Sequence, residues 1–271
     1  MTVKIDSDVT PLLGLDLIPT GATIAVAVSG GGDSVALLHI ISEWAKEGRA
    51  KPHILTVDHQ LRLESANEAL FVAKLCSILD LPHTTLIWSN PKSSQKAARK
   101  ARHSMIAKAA RTVGAKHILF GHTLNDVAET MMMREQRNQD IQKVAGPMPF
   151  SVSPVWPEGR DMTLLRPLLL VDRSTIRQWL EGRALSWIDD PSNENDTFER
   201  ARIRKAMVKS ADLGLARAKR ALEARSAEEV VLASRLRECA KGCDAQGLIR
   251  VPIDFGAVML VDLMATLIPA A

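Results

Sequence analysis

Three glycines in a row, Gly30, Gly31 and Gly32, are flanked by Ser29 on one side and by Asp33 and Ser34 on the other. An apolar run at 23–28 leads into them and a helical pattern leads out. Glycines at a strand-to-helix turn admit positive φ and let backbone N–H groups approach a ligand with no Cβ in the way. The helix start adds unpaired N–H groups and the positive end of its dipole, and the serines add hydroxyl donors. That combination suits a pyrophosphate. The Gly-Lys-Ser/Thr ending of a Walker A loop is absent, and G-x-G-x-x-G does not fit. Asp33 would repel a polyphosphate unless a divalent cation lay between them, so the stretch predicts Mg²⁺ bridging Asp33 and phosphate oxygens. The alternative is a tight turn with Asp33 as helix N-cap.

Further polar residues stand where strands should end. Asp58 and His59 close the apolar run at 53–57, and ligands of open α/β sheets sit at the carboxyl ends of strands. A nucleoside beside "VDH" is one expectation, and a simple strand-end cap at Asp58 is the other. His122, Asp126 and Glu129 fall at i, i+4 and i+7, on one face of a helix that starts just past the run at 116–120. From residue types alone they fit either a metal site or an ordinary polar face.

The elements that must carry these residues follow from the apolar pattern. Runs at 23–28, 53–57, 84–88 and 116–120 start about 30 residues apart, as in repeated βαβ units. Helical patterns at 34–44, 69–79 and 93–113 separate them, with a capping-box pattern at Ser65 to Glu68. The predicted fold is α/β: a parallel, Rossmann-like sheet covered on both faces, followed by a smaller α-helical domain. Prolines 147, 149, 154 and 157 mark an irregular stretch, 172–180 reads as a helix, and 200–240 reads as helical and basic.

Composition sets outer bounds. The chain has 271 residues, 46% hydrophobic and 24% charged, with a formal net charge of +4. Residues 92–111 hold seven Lys/Arg and no acid, and 200–225 hold nine Lys/Arg and two acids. These basic segments fit a polyanionic partner or two solvated helix faces. Aromatics are scarce, at 4% with no tyrosine, so extensive base stacking is excluded. Cys76, Cys239 and Cys243 form no disulfide framework, which favours a reduced compartment. The first ten residues carry acids and no apolar core, so no secretory signal is read there. The longest apolar candidate, near 255–267, is broken by Asp262, and no membrane span is expected.

"SGGGDS" after an apolar strand resembles the signature of the N-type ATP pyrophosphatases (the PP-loop superfamily). "VDHQLR" at 57–62, "ARKARH" at 98–103, "GHTLNDVAET" at 121–130, "LLRPLL" at 164–169 and "DDPSNENDTFERARIR" at 189–204 narrow it. In this order they resemble the tRNA(Ile)-lysidine synthase family over roughly residues 21–204. The resemblance implies an adenine nucleotide α-hydrolase-like catalytic domain at 21–204, preceded by an extension at 1–20. A mainly helical tRNA-positioning region at 205–271 follows.

The implied reaction is a cytoplasmic ligation. ATP adenylates C2–O of the wobble cytidine in the CAU-anticodon isoleucine tRNA, and the ε-amine of free lysine then displaces AMP. The implied roles are ATP binding by Ser29, Gly30, Gly31, Gly32, Asp33, Ser34, Asp58, His59 and Gly121, with Mg²⁺ at Asp33. Asp126 and Glu129 would hold the α-amino end of lysine, with Asp33, Arg102 and His122 at the reaction centre. Arg99, Arg137, Arg200, Arg204, Lys219 and Arg220 would line the rim or meet tRNA. A homodimer is among the expected assemblies. Asn138 and Asp140 stand where family members commonly carry glycines, and Ala201 replaces an asparagine. Two other readings stay open: a related enzyme joining an amine to another acceptor, and an RNA-binding pseudoenzyme on the same fold.

Overall fold

The central strand β1 (Ala22–Ala27) is Thr-, Ile- and Val-bearing, and its Ile24, Ala25 and Val26 are fully buried. Burial on both faces is the signature of a parallel strand covered on each side. The structure is a computed structural model that describes residues 12–60, 65–89, 94–137, 146–189, 202–203 and 213–227. By internal contacts the chain divides into two units, 1–219 and 220–271. The second is described only as the helical residues 220–227.

In the first unit, β1 is followed by α1 (Gly32–Lys46), β2 (Ala50–Asp58), α2 (Ser65–Ile78) and β3 (His83–Ile87). Then come α3 (Gln95–Thr112), β4 (His117–Phe120), α4 (Leu124–Gln136), β5 (Phe150–Val152), β6 (Thr163–Leu165) and α5 (Arg173–Glu181). The sheet order is β3-β2-β1-β4-β6-β5. All neighbours are parallel except β5, which runs antiparallel to β6.

Alternation along β1 divides the core. Ile24, Val26 and Val28 join a cluster with Val35, Leu38 and Ile41 of α1, Val72 and Cys76 of α2, and Ile176 and Leu180 of α5. Ala25 points the other way, into a cluster with Leu55, Ile118 and Phe120 and with Ile106, Ala107 and Ala110 of α3. Small alanines on α3, Ala107 and Ala110, let that helix lie close to the sheet.

The four long strands and the helices among them lie where the apolar pattern put them. Three local readings change. No strand was expected between 147 and 165, yet β5 and β6 form there, each three residues long. Their pairing comes from β4, to which β6 adds in parallel, rather than from their own sequence. The Ser65–Glu68 pattern is not a segment ahead of a helix: α2 already includes Ser65, whose hydroxyl donates to Asp58 Oδ1 at 2.6 Å. The N-cap of α1 is Gly31, so Asp33 lies in the first turn rather than at the cap. The acidic stretch from 190 to 200, most of 200–240, and Cys239 and Cys243 lie outside the described residues.

Candidate active site

The strand order reverses between β1 and β4, and the crevice beyond their carboxyl ends is where open α/β sheets bind ligands. The glycine turn leaves β1 here, and Gly121 and His122 leave β4. Gly30 has φ of 90°, and a Cβ on it would come within 2.9 Å of Ile188 Cδ1. Ile188 N–H donates to Gly30 O at 2.9 Å, so the segment before residue 190 lies against the turn. A Cβ on Gly121 would meet Asp33 O at 2.8 Å and Ser34 Cα at 3.0 Å. Only glycine at 121 lets the loop after β4 touch the first turn of α1.

Within the turn, Ser34 is a brace. Its hydroxyl donates to Gly31 O at 2.8 Å and accepts from Ser29 N–H at 3.2 Å. The turn is thus pre-shaped by its own side chain, and the first N–H groups of α1 have no acceptor within their helix. Asp58 Oδ1 accepts from Gln60 N–H and Ser65 Oγ–H, so the strand-end cap at Asp58 is real. His59 packs edge-on to Trp88, with ring centroids 5.9 Å apart.

The densest charge lies at Arg173, the first residue of α5. Its Nε donates to Asp33 Oδ2 at 2.9 Å and its Nη1 to Glu129 Oε1 at 3.2 Å; Nη2 lies 3.6 Å from Asp126 Oδ2. Asp126 Oδ2 also accepts from Thr123 N–H and Oγ1–H at the start of α4. Glu129 is 1% exposed. Burial works against the guanidinium charge, but Asp33, Asp126 and Glu129 more than offset it and hold the Arg173 pKa above its ordinary value. The carboxylate of the glycine turn and the two carboxylates of α4 therefore converge on one cation.

A second, cationic side faces the carboxyl ends of β2, β4 and β6. Arg166 follows β6 and is buried, with Nη1 donating to Met148 O at 2.7 Å and Ser151 Oγ at 3.2 Å. Burial, then the Arg99 charge, pushes its pKa down to about 10. His103 of α3 and His122 flank Phe120, at centroid distances of 5.4 and 5.7 Å. Burial, joined by Arg102, Arg99 and Arg166, pushes His103 down to about 4. Burial also lowers His122; Asp126 opposes this, and Arg166, Arg102 and Arg99 add to it. His59 is lowered by burial and then by Arg102. Both His103 and His122 are neutral imidazoles at pH 7. His103 Nε2, His122 Nδ1 and Arg166 Nε are sealed from solvent with no hydrogen-bond partner among the described residues.

The structure thus brings Ser29 to Ser34, Gly121, His122, Asp126 and Glu129 together at the crevice. The charge of Arg102 reaches His59, His103 and His122. Arg99 is exposed on α3. Arg137, at the C-cap of α4, and Lys219 are exposed, and so is Arg220, the first residue of the second unit. Arg200, Arg204, Asn138 and Asp140 lie outside the described residues. Sequence reasoning missed Arg173 and the burial of Arg166. One signal was available for each: a cation in a helix's first turn opposes the dipole, and Arg166 sits inside an apolar run.

A Rossmann-like sheet with a glycine turn and an acidic first helical turn at its switch point defines a PP-loop domain. The model of that family matches residues 2–211, and the chain belongs to it. Curated relatives include the tRNA(Ile)-lysidine synthase of Hyphomonas neptunium, 41% identical over 68% of this chain and 50% of the relative. That of Rhodopseudomonas palustris is 37% identical over 85% of this chain and 58% of the relative. The chain spans about half the length of the curated relatives it matches. Among solved structures, the U34-tRNA thiolase NcsA of Methanococcus maripaludis shares the fold, with a TM-score of 0.64 and 16% identity over 96% of this chain and 86% of that one.

Proposed function

We propose that this chain carries the catalytic domain of an ATP-dependent tRNA(Ile)-lysidine-forming ligase. Its substrates are ATP, free L-lysine and the CAU-anticodon isoleucine tRNA, and its compartment is the cytoplasm, where that tRNA is used. The observation that carries this reading is the convergence of Asp33, Asp126 and Glu129 on one cation at the switch-point crevice. It sets a polyphosphate turn beside carboxylates suited to an ammonium group. The family membership and the named relatives supply the acceptor and the amine. No helix among the described residues is long and apolar enough to cross a membrane.

Each residue has a task in that reaction. The cytidine C2 oxygen attacks the α-phosphorus of ATP and pyrophosphate leaves; the lysine ε-amine then attacks C2, loses a proton, and AMP leaves. The braced glycine turn holds the triphosphate by backbone N–H groups at the start of α1. Asp126 and Glu129 fix the α-ammonium of lysine, which confines its ε-amine near the activated base and raises its effective concentration over water. Arg102 faces the charge that builds on the α-phosphate and leaving group. His122, held neutral, offers a hydrogen bond there without adding repulsion to the arginines.

Among the described residues no three metal-ligating side chains cluster. One carboxylate at the phosphate turn is nevertheless what magnesium arriving with a nucleotide commonly uses. A Mg²⁺ held through Asp33 would neutralise triphosphate charge. Burial pushes the Cys76 thiol up to about 12, which makes it unsuited to thiolate chemistry of the kind a sulfur-transferring relative would need.

The test is pyrophosphate release from ATP, and incorporation of labelled lysine, with a CAU-anticodon tRNA. Label should enter tRNA only when ATP and tRNA are both present, and Asp33→Asn should lower pyrophosphate release at least a hundredfold. Pyrophosphate release without incorporation of lysine would assign the chain to another acceptor or amine. No release at all, with tRNA still bound, would leave an RNA-binding pseudoenzyme.

A further inference from the structure

Arg173 belongs to none of the roles above, yet it touches residues from both halves of the proposed site. We propose that Arg173 is a positioning residue that couples the nucleotide end of the crevice, at Asp33, to the lysine end, at Asp126 and Glu129. This inference rests on the ligation reading of the same site.

The geometry is that of a shared counter-ion. One guanidinium spans α1 and α4, engaging a single oxygen of each carboxylate: Asp33 Oδ2, Asp126 Oδ2 and Glu129 Oε1. Its grip is uneven, at 2.9 Å on Asp33, 3.2 Å on Glu129 and 3.6 Å on Asp126. Its backbone N–H donates to Asn125 Oδ1 at 2.8 Å, which ties the start of α5 to α4. At the first turn of a helix the dipole disfavours a cation. The carboxylates outweigh that, so the guanidinium's position depends on how their charge is used.

A magnesium nucleotide carries net negative charge. Seated at the glycine turn, it draws the guanidinium toward its phosphate oxygens and away from the two longer contacts, on Glu129 and Asp126. Oxygens of Asp126 and Glu129 are then released to an incoming ammonium. Lysine should accordingly bind more tightly when nucleotide is present. By thermodynamic reciprocity, nucleotide should bind more tightly, by the same factor, when lysine is present.

The experiment is calorimetric titration of L-lysine into the full chain, with and without α,β-methylene ATP and MgCl₂. No turnover is involved. The wild-type dissociation constant should fall about fivefold or more with nucleotide. In Arg173→Met the ratio should fall to one, and in Arg173→Lys it should be partly kept. Asn125→Ala, which leaves the charge and removes only the backbone tether, should reduce the ratio without abolishing it. This second variant decides the matter if Arg173→Met fails a thermal-melt check of folding. A wild-type ratio of one, or a full ratio in Arg173→Met or Asn125→Ala, overturns the coupling and leaves the ligation reading intact. Lysine that binds under neither condition, with nucleotide still bound, removes that reading and the coupling with it.

Discussion

The Asp33 carboxylate stands 2.9 Å from Arg173 Nε at the mouth of the glycine turn, whereas His122, on the loop after β4, is kept uncharged. The crevice therefore has an acidic wall and a cationic wall, built by different residues. The histidines of the cationic wall carry a stability signature. His103 titrates near 4 when folded and near 6.5 when unfolded. Between those values the unfolded chain binds a proton that the folded chain refuses, so stability is lost as pH falls from about 7 toward 4. A shift of that size corresponds to about 3 kcal/mol. His103→Leu should flatten the fall in unfolding free energy between pH 7 and pH 4.5, measured by urea titration at each pH. Equal slopes in the variant and the parent protein would show that the imidazole is not held neutral. At this scale the phosphate turn was legible because glycine and serine types alone imply it. Arg173 was not, because its partner Asp33 is 140 residues away, and its one local signal, a cation in the first turn of a helix, names no partner.

At the scale of elements, the long strands were legible because continuous apolar runs with β-branched residues leave little alternative for a buried parallel sheet. β5 and β6 were not, since three residues carry no period and their pairing is lent by β4. The contact between the loop after β4 and the first turn of α1 escaped for the same reason: it needs both elements in place. That contact makes a sharp comparison between two glycines. A Cβ at Gly121 would press on the backbone of Asp33 and Ser34, which cannot yield as a side chain does. A Cβ at Gly32 would have the Trp187 and Leu180 side chains as its nearest neighbours, the nearest atom 3.4 Å away. Gly121→Ala should therefore lower stability by about 2 kcal/mol or more, seen as a depressed melting temperature. Gly32→Ala should melt within a few degrees of wild type yet bind nucleotide less well. Matching melting temperatures would mean that the two loops do not meet. α5 offers a second check. Asp172 caps that helix by accepting from Thr175 N–H at 2.9 Å, and Asp172→Ala should cost about 1 kcal/mol. It should also weaken lysine binding through the Arg173 it precedes.

For the whole molecule, charge distribution is the property that sequence displayed most openly. A net charge of +4 is small, but it is concentrated in 92–111 and 200–225. Most of the first segment folds into α3, where the Arg102 charge acts on His59, His103 and His122 and Arg99 is exposed. In the second, Arg217 pairs with Glu135 at 2.7 Å, whereas Lys219 and Arg220 are exposed. These two are exposed cations that can meet an RNA backbone, and such pairing acts by releasing counterions. The affinity for a CAU-anticodon tRNA should fall steeply with salt. The double charge reversal Lys219→Glu with Arg220→Glu should weaken binding and reduce the slope of log K against log salt by about 2, one for each phosphate no longer neutralised. Affinity for α,β-methylene ATP should be unchanged, because the glycine turn and Asp33 lie on other elements. Filter binding at several salt concentrations, with nucleotide titrations alongside, checks both halves. An unaltered slope would show that Lys219 and Arg220 meet only solvent.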